Sequence, residues 1–320
     1  MPELPEVETI RMGLGQLLPG RTIKSVDVDA NSAKSFPNAS ALVRKYLVGA
    51  KIIDIERRAK VLIIGLDNDY CLIIHLKMTG QLVFVGASAK TGANKSTDSA
   101  ETDRWGGGHP TDSLIGALPD RSTRVTVTFT DGSHLYFNDQ RKFGWIRLIP
   151  KAELPDIDFF RRVGPEPLIG TDFTWPYFRA AIGRRRNTSI KAAILDQSVV
   201  AGVGNIYADE SLFATRIHPA TKAGQVSPAK LKRLWQAIPE VLALAIANGG
   251  STYKNYIDAQ GGRGQYLMKY GKVFRREGQA CPECGGVIEK IRVAGRGTHF
   301  CPACQKLPPA KSVSKPKPKQ

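Results

Sequence analysis

Four cysteines near the C-terminus constrain this chain more than any other feature. Cys281, Cys284, Cys301 and Cys304 fall in CPECGGVIEKIRVAGRGTHFCPAC, with the spacing C-x2-C-x16-C-x2-C. Two C-x2-C knuckles bring four thiolates together in pairs, the donor set that a tetrahedral Zn2+ requires. The span between the knuckles suits a β-hairpin. Four protein thiolates close the coordination shell, so the expected ion is structural: one Zn2+ that folds the segment rather than catalysing. A redox pair would need a single C-x2-C, and a cytosolic setting disfavours disulfides. The fifth cysteine, Cys71, sits in the apolar run YCLIIHL and reads as a buried strand residue.

Charge narrows the partners. The chain has 320 residues, with 46 Lys and Arg against 29 Asp and Glu, a formal charge of +17. That excess points to a polyanion, nucleic acid first. A membrane surface is the weaker alternative, because no basic amphipathic helix stands out; a merely solvated basic surface also stays open. No apolar run approaches the roughly 18 residues of a membrane span, and no secretory h-region opens the chain. A cytoplasmic, nucleoid-associated monomer is expected.

The hydrophobic period then divides the chain. Residues 5–18 read as a helix, with Val7, Ile10, Leu14 and Leu17 at helical spacing. Eight short β-rich runs follow: TIKSVDVDA, KIIDIERR, KVLIIGL, YCLIIHL, QLVFV, RVTVTFT, HLYFN and WIRLI. They predict a β-sandwich or flattened barrel with the first helix against it. The stretch from about residue 86 to 121 is polar and glycine-rich and reads as a flexible insertion; His109 within it receives no role. From about Lys151 the pattern turns helical, near 173–183, 188–197, 205–215 and 228–247, after the proline-rich boundary RVGPEPL. Pro239 should kink the last of these. The fold class expected is α+β, with a strand-rich domain over 1–150, a helical domain over 151–275, a zinc finger over 276–306 and a basic disordered tail over 307–320.

Two local motifs suggest chemistry. In VVAGVGNIYADESLF, Gly202 and Gly204 allow a tight turn and Asn205 is a good N-cap for a helix beginning at Ile206. Such a turn can hold a phosphate with backbone N–H groups, or simply join two helices; no GK[ST] follows, so a nucleoside triphosphate is not expected. The chain opens MPELPEVETI, placing a proline and two carboxylates, Glu3 and Glu6, at its start. Termini are usually idle, and Pro and Glu also suit a first helical turn.

Together the motifs PELPEVE (2–8), HLKMTG (75–80), NDQRKFG (138–144), GPEPL (164–168), AGVGNIYADE (201–210) and the four-cysteine finger resemble the formamidopyrimidine-DNA glycosylase family over nearly the whole chain. The resemblance implies a helix-two-turns-helix domain, a double-stranded DNA partner carrying oxidised purines or abasic sites, and a glycosylase that also cleaves abasic sites. Loss of Met1 would free Pro2 as the Schiff-base nucleophile; a free α-amino group titrates near 8, so part of it is neutral at pH 7. Glu3 would be the proton donor. Glu6 would lie beside the amine, and Glu210 would approach it too. Lys60 and Arg296 would contact phosphates and serve the lyase steps as proton donors. Asn205, Lys191 and His75 would face DNA, although a core role for His75 stands beside that. Met78, Arg141 and Phe143 would fill the hole left by a flipped base; without the resemblance, Met78 and Phe143 read as core. The glycine-rich 257–267 stretch stands where the family has a loop over the extruded base.

The sequence departs from the family pattern at Gln140, where proline is common, at Lys142, where arginine is common, and in the length of the 86–121 insertion. Two alternatives remain at this level. One is the sister branch that removes oxidised pyrimidines; the other is a zinc-finger protein that binds damaged DNA without cutting it.

Overall fold

The computed structural model describes residues 2–87, 104–109, 111–168, 170, 172–251 and 264–309. Helix α1 (Leu4–Leu17) comes first, followed by β1 (Ile23–Val28) and a short α2 (Ser40–Tyr46). Strands β2 (Ile52–Arg58), β3 (Val61–Leu66), β4 (Tyr70–His75), β5 (Gly80–Val85), β6 (Arg104–Gly108), β7 (Thr123–Phe129), β8 (His134–Asp139) and β9 (Trp145–Pro150) complete the strand-rich part. Helices α3 (Asp158–Arg162), α4 (Trp175–Arg184), α5 (Ile190–Leu195), α6 (Asn205–Ala214), α7 (Pro228–Ala247) and α8 (Tyr266–Lys269) precede the hairpin β10 (Glu289–Val293) and β11 (Arg296–Phe300). Among the described residues no helix is long and apolar enough to cross a membrane.

Strands β1 to β9 form two antiparallel sheets, ordered β1-β7-β8-β5-β6 and β2-β3-β4-β9, and β10 and β11 form a third, two-stranded one. One hydrophobic core joins α1, through Val7, Ile10 and Leu14, to residues of both sheets such as Leu62, Ile64, Leu82, Phe84, Phe129 and Phe137. Each such side chain, fully buried, contributes about 1.5–3 kcal/mol. Strands β3 and β4 are buried along nearly their whole length. Their second face carries Val61, Ile63, Cys71 and Ile73 against Leu154, Ile157, Phe159 and Phe160. That explains why KVLIIGL and YCLIIHL show no polar alternation. Cys71 is wholly buried, and burial pushes its thiol up to about 11.

The region expected to be an insertion is corrected by a ninth strand. RWGGG forms β6 and pairs with β5, and Trp105 is buried in the main core. Asp112–Leu114 adds a 3-10 turn with Leu114 buried. Three consecutive glycines gave the segment no strand propensity, yet the sheet edge and the apolar surface around the indole hold it extended. Residues 88–103 and 110 lie outside the described residues, as do 252–263, which take in 257–263 of the expected base-covering loop, and 310–320 of the tail.

The expected helices appear as α4 to α7, and α7 runs through Pro239. The compact units are not consecutive blocks of sequence. One comprises Met1–Phe173, Gln197–Gly204 and Pro239–Gly271; the other comprises Thr174–Asp196, Asn205–Ile238 and Lys272–Gln320. The glycine turn therefore packs with the sandwich, and the helix that follows it belongs to the second unit.

Candidate active site and finger

In the first unit, Glu3 and Leu4 nest on the glycine turn. Leu4 N–H donates to Gly202 O at 3.1 Å. Gly202 has φ +88, and a Cβ there would lie 2.3 Å from the Leu4 side chain. A Cβ on Gly204 would lie 2.2 Å from the Glu3 carboxyl carbon. Both glycines are required because the amino-terminal segment occupies the space a side chain would take. Glu3 is buried and N-caps α1 in extended geometry.

Glu6 fixes this segment from the other side. Its Oε2 accepts the Glu3 N–H at 2.8 Å, while its Oε1 accepts the Ser251 N–H and hydroxyl at 2.7 and 2.8 Å. An ionised carboxylate only accepts, and here it meets three donors. Lys60 is buried and donates through Nζ to Val203 O, at 2.9 Å. The turn thus gathers Glu3 and Lys60 around the residue between its two glycines.

Lys60 owes its place to a buried ion network that the sequence did not disclose. Arg57 pairs with Glu8 of α1 at 2.7 Å and with Glu166 at 2.8 Å, and the Arg57 side chain is 1% exposed. Glu166 also pairs with Arg58 and accepts the Ala59 N–H. The GPEPL motif, read as a boundary, therefore clamps the turn that carries Lys60.

Met78, Arg141 and Phe143 do not lie in the core. All three are exposed, on the β4–β5 and β8–β9 connections. The Arg141 guanidinium lies 4.7 Å from the Phe143 ring centroid, and its Nη1 is 3.3 Å from Met78 Sδ. Exposed apolar tips joined by a cation suit a surface that meets a partner. His75, in contrast, is buried, and its Nδ1 accepts the Lys77 N–H at 3.0 Å. Burial first, then the Lys77 and Lys60 charges, lower its imidazole to about 3. It is neutral near pH 7 and carries no charge toward a phosphate, and its burial accords with the core role that stands beside the DNA-facing one.

In the second unit, the four cysteine sulfurs lie within 4.8 Å of one another. The Cys281–Cys304 and Cys284–Cys301 separations are 3.9 and 3.5 Å. Four sulfurs about 2.3 Å from one tetrahedral zinc sit about 3.8 Å apart, so the donor set fits a single structural Zn2+. Gln305, fully buried, ties the second knuckle down: its Oε1 accepts the Cys301 N–H at 2.9 Å and its Nε2 donates to Ile217 O at 2.8 Å.

Strand β11 is fastened to α5 and α6 by a buried ion pair. Lys191 Nζ lies 2.7 Å from Asp209 Oδ1, with both side chains at 0% exposure. The Lys191 ammonium also donates to the Thr298 hydroxyl at 2.8 Å, and Asp209 accepts the His299 N–H at 2.9 Å. Lys191, expected to face DNA, is thus an interior residue. Asn205 is the first residue of α6 rather than its cap, and its Nδ2 donates to Gly297 O at 2.9 Å, beside the exposed Arg296. Glu210 is also committed locally: its carboxylate accepts N–H bonds from Lys272, Val273 and Phe274 at 2.8–3.0 Å. Burial raises its carboxyl against the pull of these amides. These three bonds give Glu210 a structural task that the expected approach to the amine overlooked.

A two-sheet sandwich with an invested amino-terminal segment, a helical unit and a four-thiolate hairpin define a zinc-finger protein of the DNA-glycosylase kind. Family models agree with that class: the formamidopyrimidine-DNA glycosylase N-terminal domain matches residues 1–146, its H2TH domain residues 163–256, and the zinc finger found in FPG and IleRS residues 278–307. A Pelotomaculum thermopropionicum protein named formamidopyrimidine-DNA glycosylase is 37% identical over 96% of this chain and 100% of its own length. The structure resembles that of a Lactococcus lactis FPG mutant in complex with Fapy-dG-containing DNA, with TM-score 0.79 and 33% identity, covering 95% of this chain and 100% of the other. It also resembles Lactococcus lactis Fpg in complex with abasic-site DNA, with TM-score 0.79 and 32% identity over 95% and 99% of the two chains. The chain belongs to the formamidopyrimidine-DNA glycosylase family.

Proposed function

We propose that the chain excises oxidised purines, such as 8-oxoguanine and formamidopyrimidines, from double-stranded DNA and then cleaves the abasic site through a Schiff base on Pro2. The enzyme class is that of its relatives, a base-excision DNA glycosylase. The observation that carries the mechanism is the seating of Glu3, beside Pro2, on the turn that also binds Lys60.

Once Met1 is removed, the Pro2 nitrogen attacks C1′ and the glycosidic bond breaks. The departing base takes the electron pair and the sugar collects a proton from Glu3. Opening of the sugar leaves an iminium at Pro2. That cation acidifies the C2′ hydrogen, and loss of this proton expels the 3′ phosphate by β-elimination. A second elimination expels the 5′ phosphate. Glu6 holds the Glu3 backbone, so the proton donor is fixed before substrate arrives. Lys60, anchored to Val203 O, and the exposed Arg296 are the cations for the flanking phosphates. Met78, Arg141 and Phe143 enter the stack where the base has left. One Zn2+ on the four cysteines stabilises the finger, and the protein acts as a monomer at the nucleoid of the cytoplasm.

Glu3→Gln separates the steps. It should lower excision from an 8-oxoguanine duplex by about 10²-fold or more while cleavage at a ready-made abasic site largely persists. Equal loss on both substrates removes Glu3 from the acid role.

A further inference from the structure

The three exposed tips stand on two separate connections, yet both connections rest on one buried carboxylate. Asp139 ends β8 and is 0% exposed; Thr79, next to Met78, is 8% exposed. The Asp139 Oδ1 accepts the Thr79 hydroxyl, and it accepts the Arg141 N–H at 3.2 Å. Its Oδ2 accepts the Gly144 N–H at 2.6 Å. The Thr79 oxygen also accepts the Arg141 N–H, at 3.1 Å. Arg124 Nε donates to Asp139 O at 2.8 Å and so fixes the backbone beneath.

The donors at this carboxylate are two amides and a hydroxyl, which an acceptor-only group satisfies fully. The clamp also holds unusual backbone. Lys77 and Lys142, each adjacent to a tip, have φ of +51 and +56. Side-chain-bearing residues keep such angles where their surroundings impose them. Asp139 and Thr79 are both buried beneath the exposed tips.

We propose that Asp139 and Thr79 are positioning residues that fasten Met78, Arg141 and Phe143 into one rigid wedge and thereby set how the enzyme discriminates the base opposite the lesion. This rests on the functional reading above. A loose wedge would still enter the stack, but Arg141 would no longer present its guanidinium to the orphaned base at one fixed angle.

The test uses the full-length protein and Thr79→Ala, with Thr79→Ser as the conservative rescue. Single-turnover excision of 8-oxoguanine is measured opposite cytosine and opposite adenine. The wild type should favour one partner by about fivefold or more, the scale of one well-placed bidentate arginine contact. The Ala variant should bring that ratio to within about twofold of one, and Ser should restore it. A ratio taken on one sample does not depend on the folded fraction. An Ala variant that keeps the wild-type ratio overturns the proposal, as does a Ser variant that fails to restore it. A wild type that excises 8-oxoguanine from neither duplex overturns the functional reading itself, and is thereby told apart from failure of the clamp.

Discussion

The amino-terminal site and the finger hold their polar side chains in place with a different emphasis. At the glycine turn, position is set first by missing atoms: Gly202 and Gly204 leave the space that Leu4 and Glu3 fill, and the charged Glu6 and Lys60 side chains bond mainly to backbone groups around them. At the finger, position is set by charge. Four thiolates suit a metal ion, and a fully buried Lys191–Asp209 pair fastens β11 to the helices. The first arrangement leaves no slack for added volume. The second tolerates volume better but fails when a charge is lost.

A methyl group should therefore break the first region most. Gly204→Ala would place a carbon 2.2 Å from the Glu3 carboxyl carbon. Displacing a catalytic group by about an ångström costs on the order of 10²-fold. Excision should fall at least that far, with circular dichroism and zinc content unchanged. Near-normal excision would mean that Glu3 need not sit on the turn.

Charge removal should break the second region. Asp209→Asn leaves the Lys191 ammonium without its counter-charge at a site with 0% exposure. Breaking one partner of such a pair costs about 3–5 kcal/mol. Urea unfolding should show a loss of that size. A loss under about 1 kcal/mol would mean the pair contributes little to the second unit.

A smaller effect sharpens the contrast. An unfolded imidazole titrates near 6.5, while His75 in the sandwich is lowered to about 3, chiefly by burial. Between those values the unfolded chain binds the extra proton, so stability falls as pH drops through the window and is full above it. Urea midpoints taken from pH 7 to pH 4 should fall further for the wild type than for His75→Asn. Parallel curves would show that His75 protonates freely in the fold.

What could be read in the sequence was local. Cysteine spacing announced the finger, since both knuckles and the hairpin are short-range devices. The short β-rich runs announced eight strands. The ninth escaped because RWGGG carries one apolar side chain, and its extension depends on β5, distant in the chain. The buried polar partners escaped for the same reason. Glu166, Asp209, Gln305 and Asp139 look like surface residues until the fold encloses them. Lys191 is the clearest case: the family resemblance implies a DNA contact there, and only tertiary structure reveals the aspartate that neutralises it. The glycine turn was recognised as tight, but nothing local told that the start of the chain would be its occupant.

The central claim is that the amine of Pro2, next in sequence to the Glu3 seated on that turn, is the nucleophile. Borohydride reduction of the protein with an 8-oxoguanine duplex, followed by digestion and mass mapping of the DNA-linked peptide, tests it most directly. The account predicts a single covalent linkage at Pro2 in chains that have lost Met1. A linkage at a lysine such as Lys60, or none at all while excision proceeds, would contradict it.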